Sequence, residues 1–140
     1  MQKIRGKKLF SILLVILLSI EIFHFSSLSG VEGIPTKGGN LIPIAYHFIV
    51  FFLFSFFVLS AIKGNKKMKS SYILTTWIIS IIQAILDEIH QIFVPFRGAG
   101  LEDVLINSIG IFSATILFLI SKNYYKLLKI SPILRGKKSI

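Results

Sequence analysis

Four apolar runs dominate the chain, at about 9–25, 43–62, 72–93 and 101–120. A helix rises about 1.5 Å per residue and the hydrocarbon core of a bilayer is about 30 Å thick, so each run is long enough to cross it, or nearly so. Within lipid every backbone N–H and C=O must be bonded inside the segment, which makes a helix the only solution for a lone apolar run. The expected fold is therefore an all-α integral membrane protein, a bundle of four transmembrane helices. Composition agrees: 54% of residues are hydrophobic and 16% charged, against about a quarter charged in a soluble domain. With no cysteine, disulfides and thiolate metal sites are excluded.

The segments between the runs set the orientation. Basic residues number four before the first run (Lys3, Arg5, Lys7, Lys8), four between the second and third (Lys63, Lys66, Lys67, Lys69) and six in the tail. The two remaining segments carry one each, Lys37 and Arg97. Four crossings place fourteen of these charges on one side and two on the other, and the positive-inside rule makes the rich side cytoplasmic. Both termini are thus expected in the cytoplasm of a bacterial cell. Residues 1–121 form the membrane domain and 122–140 a basic cytoplasmic tail whose Leu127, Leu128 and Ile130 suit the membrane surface. The net charge of +10 is explained by this pattern, and no nucleic-acid partner is expected. A basic start followed by an apolar run also fits a signal peptide. The run is long for one, and Glu21 and His24 interrupt its far end, so it is read as a retained first helix. The glycine-rich stretch 26–42 reads as a loop, with Pro43 in the first turn of the second helix. The phenylalanines of the second run, on most sides of that helix, read as lipid-facing and packing surface.

The stretch from Asp87 to Gly110 carries the unusual chemistry, with four of the six acidic residues and an isolated arginine. Ionisable groups inside or beside spans are costly and mark functional sites by default. Counting helical rise from the cytoplasmic ends puts Asp87 roughly 22 Å up and Glu21 roughly 18 Å up, with His47 roughly 6 Å down from the other side. Glu21, His24, His47, Asp87, His90, Gln91, Asp103 and Asn107 are all expected in the outer half. Ser80, Gln83, Asp87 and Gln91 form a polar stripe on span three, and Asp103, Asn107 and Gly110 share a face of span four. The two stripes are expected to meet across the short turn, with Gly110 allowing close backbone approach. Glu21 and His24 are expected to bond each other at the lip of span one.

Asp87, Glu88, Gln91, Phe93, Arg97, Asp103, Asn107 and Gly110, in that order and spacing, resemble the motif of the VanZ-like family of bacterial membrane proteins. Phe25-Ser26-Ser27 and His47 are also similar. Phe96 stands where that family often has a glycine before the arginine, and Ala114 where a second glycine often follows. The resemblance covers most of the chain apart from the tail. It implies a multi-pass protein of the cell envelope, associated through the founding member with resistance to teicoplanin, a glycopeptide that binds cell-wall precursors.

Three readings of the cluster compete. It is a satisfied network that fixes helix packing. Or it is an outward-facing site for a polar or anionic headgroup, of a phospholipid or a lipid-linked wall precursor. In that site Arg97 holds phosphate, and Asp87, Glu88, His90, Gln91, Asp103, Asn107 and His47 complete the surroundings. Or Asp87 or Glu88 with His90 acts as an acid/base pair on an envelope lipid. No Ser, Cys or Lys nucleophile motif accompanies that pair, so the reading leans away from an enzyme. Asp87 and His90, one turn apart, reach a cation only with His47 or His24. The spacing matches no zinc signature and Arg97 stands nearby, so no metal and no cofactor is expected.

Overall fold

A computed structural model describes residues 2–28, 41–97 and 100–135, with side chains over 6–28, 41–97 and 100–121. It contains four helices, α1 (Gln2–Ser26), α2 (Leu41–Lys63), α3 (Ser70–Ile92) and α4 (Leu101–Arg135). Among the described residues there is no strand. The segments long and apolar enough to cross a membrane are Gly6–Ser26, Leu41–Lys63, Ser70–Ile92 and Leu101–Ser121. Each lies within a few residues of the run expected from hydropathy. α4 continues beyond its apolar part to Arg135. The loop 29–40 with Lys37, Gly98 in the turn after α3 and the side chains of the tail lie outside the described residues.

Local chemistry sets the helix ends. Pro43 falls in the first turn of α2, where its missing N–H removes no helical bond. α3 stops because Pro95 disfavours helical geometry at Val94. The last N–H groups tighten onto nearer carbonyls, Phe93 N to His90 O at 3.0 Å and Val94 N to Gln91 O at 3.1 Å. Phe96 then takes φ +58°, the left-handed region that a side chain makes costly. That conformation supplies the physical reason for a glycine before the arginine, which this chain lacks.

α2 is the central helix: it packs against all three others, most extensively against α4. Phe51 and Phe54 are buried together with Ile22 of α1, Ala84 of α3 and Ile111 of α4. Packing rather than lipid contact thus accounts for these two phenylalanines, and a helix apolar on every side belongs inside a bundle. Gly110 sits where α4 crosses α2. A Cβ there would lie 2.6 Å from the carbonyl oxygen of Phe48 and 3.2 Å from the amide of Phe52. The close approach expected at Gly110 is present, but its partner is α2 rather than α3. The outward faces carry Leu13, Ile16 and Leu17 on α1 and Ile78, Ile82 and Ile85 on α3. In a bilayer such faces meet lipid tails, so association must come from close packing and interhelical bonds. Such bonds lie away from the polar end as well: Trp77 Nε1 donates to Thr115 Oγ1 at 3.1 Å, Ser11 Oγ to Ser60 Oγ at 3.1 Å and Ser55 Oγ to Ile111 O at 3.4 Å.

Candidate functional site

One end of the bundle gathers the C-terminal ends of α1 and α3 and the N-terminal ends of α2 and α4. His47, Asp87, Glu88, Gln91 and Asn107 are all buried there. Their burial follows from helical periodicity. On α3 the inward face runs Thr76, Ser80, Ala84, Asp87, Glu88 and Gln91, at steps of three and four apart from the adjacent pair Asp87-Glu88. Gln83, part of the stripe expected from the sequence, is only half-buried.

Asp87 is the hub. Its Oδ1 accepts a hydrogen bond from Ser26 Oγ of α1. Its Oδ2 accepts from Gln91 Nε2 at 3.1 Å and lies 4.0 Å from His47 Nδ1 of α2. His47 Nδ1 in turn pairs with Asn107 Oδ1 of α4 at 3.1 Å. The chain of contacts Ser26–Asp87–His47–Asn107 thus touches all four helices. Beside it, Glu88 Oε2 accepts the backbone N–H of Gly100 at 3.0 Å, which ties α3 to the start of α4.

The helices supply partners that polarity and depth did not point to. The end of α1 and the residue after it contribute Ser26 and Ser27, not Glu21 and His24. Glu21 and His24 are exposed, whereas Ile22 and Ser26, one turn apart, form the buried face of α1. His24 stacks edge-on against Phe25 rather than bonding Glu21. Helical rise gives the height of a residue and not its direction around the axis, and direction decides contact. His90 turns to the rim, its Nε2 2.9 Å from Ser27 Oγ and its ring against Phe23. Asp103 is half-buried on the first turn of α4. The stripes of α3 and α4 do not simply face each other, since Asn107 reaches His47 on the central helix.

Arg97 closes the end of α1. Its Nη2 donates to Phe25 O at 2.7 Å and its Nε to Leu28 O at 3.1 Å. The last carbonyls of a helix have no partner within it and carry partial negative charge, so a guanidinium is well matched to them. Glu102 and Asp103 occupy the first turn of α4, where acidic groups favour the positive end of the helix dipole.

Serine, carboxylate, imidazole and amide groups here can hold one another, a polar headgroup or a cation. Comparisons with curated proteins and with solved structures each found no match. Comparison with protein families matched residues 9–122, which include all four crossings and the whole polar end, and on that match the chain belongs to the VanZ/LLP1 family of multi-pass membrane proteins.

Proposed function

We propose that the polar end of the bundle binds the polar or anionic headgroup of an envelope lipid or lipid-linked wall precursor at the outer face of the bacterial cytoplasmic membrane. The observation that carries this reading is Arg97. Two backbone carbonyls fix its guanidinium in place, yet it remains partly exposed above the buried His47, Asp87, Glu88 and Asn107. A guanidinium has five N–H donors, so donors remain for a phosphate once those two bonds are made. A cation held in advance loses little freedom when an anion arrives. The outer location rests on the split of basic residues, with Arg97 on the poor side and fourteen others on the rich side. A link to teicoplanin resistance rests on the family's name and on nothing in the site.

A second reading is favoured by a specific observation. The bonds Ser26–Asp87, His47–Asn107 and Glu88–Gly100 join different helices, which is what a network fixing helix packing requires. The two readings separate by binding. Purified protein in detergent is titrated with phosphatidylglycerol, cardiolipin and a lipid-linked disaccharide wall precursor. The proposal expects saturable binding of at least one of them, weakened by Arg97→Gln. Absence of saturable binding across the panel leaves the packing network as the function of the cluster.

A further inference from the structure

We propose that His47, Asp87 and Glu88 form a binding site for one divalent cation of the zinc class. The expectation from sequence was no metal, because the spacing of Asp87 and His90 matches no zinc signature and Arg97 stands nearby. The fold replaces that pair with another. His90 lies at the rim against Ser27 and Phe23, while His47 of α2 comes alongside Asp87 and Glu88 of α3. Each of the three offers one ligand atom, and those atoms all lie within 4.8 Å of one another. Two ligand atoms on a tetrahedral zinc ion at about 2.0–2.2 Å lie about 3.3–3.6 Å apart. Closing the triad onto an ion therefore draws its ligand atoms together by up to about 1–1.5 Å, a movement within the reach of side-chain rotation.

The donor set matches that ion class. Imidazole suits zinc and its neighbours, and carboxylate oxygens are also zinc ligands. Two carboxylates balance a divalent charge, which matters where all three side chains are buried in an apolar bundle. Each candidate ligand is also oriented by a second group, as metal ligands generally are. Ser26 and Gln91 hold Asp87, the Gly100 amide holds Glu88, and Asn107 Oδ1 accepts from His47 Nδ1, which leaves Nε2 as the ligand atom of the histidine. A second observation points to an absent ligand. Asn107 is fully buried against His47, and its Nδ2 has no hydrogen-bond partner among the described residues. Three protein ligands leave a position open on zinc, and an oxygen held there would give that N–H an acceptor. The single positive charge of Arg97, whose guanidinium bonds the carbonyls of Phe25 and Leu28, is outweighed by the two carboxylates of the triad. The ion site does not depend on headgroup binding, and each can fail without the other.

The test uses the full chain, purified in detergent on a tag without histidine, stripped with chelator, reloaded with Zn²⁺ and dialysed. Metal content is then measured by mass spectrometry. The native chain should retain about one zinc per chain, and His47→Gln, Asp87→Asn and Glu88→Gln should each lower its affinity at least about tenfold. The histidines outside the triad are the control, and a His24→Ala/His90→Ala double variant should keep the metal. Should Asp87→Asn fail to fold, Glu88→Gln and His47→Gln, checked by circular dichroism, decide the matter. Co²⁺ in the native chain should give visible absorption of nitrogen and oxygen ligation, lost in the same variants. Native protein that retains no zinc after reloading overturns the proposal. So does zinc that survives the triad variants and disappears from the histidine double variant.

Discussion

Replacing Gly110 by alanine tests the packing that positions the site. The added Cβ would lie 2.6 Å from Phe48 O, 3.2 Å from Phe52 N and 3.4 Å from the carbonyl carbon of Phe48. All three are backbone atoms of α2, so no side chain can rotate away. Relief requires α2 and α4 to separate by roughly 0.5–1 Å, and a gap of that size forfeits about a quarter to a half of the attraction between facing atoms. Overpacking of this kind costs about 1–3 kcal/mol. Alanine returns about 0.5–1 kcal/mol through its better helix propensity, leaving a net loss of up to about 2.5 kcal/mol, toward the upper end because all the contacted atoms are backbone. The separation also falls one turn from Asn107 and beside His47, so the bond between them, 3.1 Å long, should lengthen. The assay is thermal unfolding in detergent, with Gly6→Ala as control because a Cβ at Gly6 meets nothing within 4 Å. Gly110→Ala should melt well below the parent and Gly110→Val lower still, while Gly6→Ala loses nothing. A Gly110→Ala protein as stable as the parent would refute the close crossing of α2 and α4.

Other expectations follow from particular residues. Phe96→Gly should stabilise the fold by about 0.5–1 kcal/mol, since φ +58° costs a side chain about 1–2 kcal/mol and glycine gives back part of that through unfolded-chain entropy; a lower melting temperature would contradict it. Exchanging Arg97 and Asp103 should not rescue the loss of about 1–2 kcal/mol expected from Arg97→Asp, because Arg97 bonds the carbonyls of Phe25 and Leu28 at and just past the end of α1 and an aspartate there would repel them. Full recovery of stability in the exchanged pair would show that the arginine pairs with Asp103 after all. A reporter active only outside the cell should work when fused after Gly39 and fail after Gly64 and at the C-terminus, given the split of basic residues; activity at the C-terminus would overturn the four-crossing orientation.

Much of this fold is legible in the residues, because in a bilayer length and apolarity decide what crosses. The start of the second helix was also readable, at Pro43. Contact between helices was less so. A bundle in lipid is apolar inside and out, so the contrast that marks the buried face of a soluble helix is missing. The central place of α2 was hidden for this reason: its phenylalanines carry no sign of which will be buried. The polar side chains are the exception. His47, Asp87, Glu88, Gln91 and Asn107 stand out in apolar surroundings, and the structure buries them together. Ser26 escaped that reasoning because a serine near a loop carries little signal by itself, and only the family resemblance drew attention to it. Glu21 and His24 drew attention by charge and lie on the outer side of α1. Gly110 was legible as a point of close approach, but which helix approaches it depends on packing that no short stretch encodes. A metal-ligating group built from α2 and α3 has no sequence spacing at all.

The most direct measurement sets binding against stability in Glu88→Gln. The amide keeps the shape of the carboxylate and can still accept the Gly100 N–H, now 3.0 Å from Oε2, while removing a charge from the polar end. Thermal unfolding and saturable binding of the lipid panel are measured on the same preparations, with Gly110→Ala as a variant that lowers stability without changing a polar group. If the polar end is a binding site for an anionic headgroup, Glu88→Gln keeps a melting temperature near that of the parent and binds the anionic lipids about tenfold more tightly, because a carboxylate that repels the phosphate is gone, a free-energy change of about 1.4 kcal/mol. If binding persists unchanged, or falls in Glu88→Gln as it does in Gly110→Ala at matched stability, the cluster is a packing network and the binding account is contradicted.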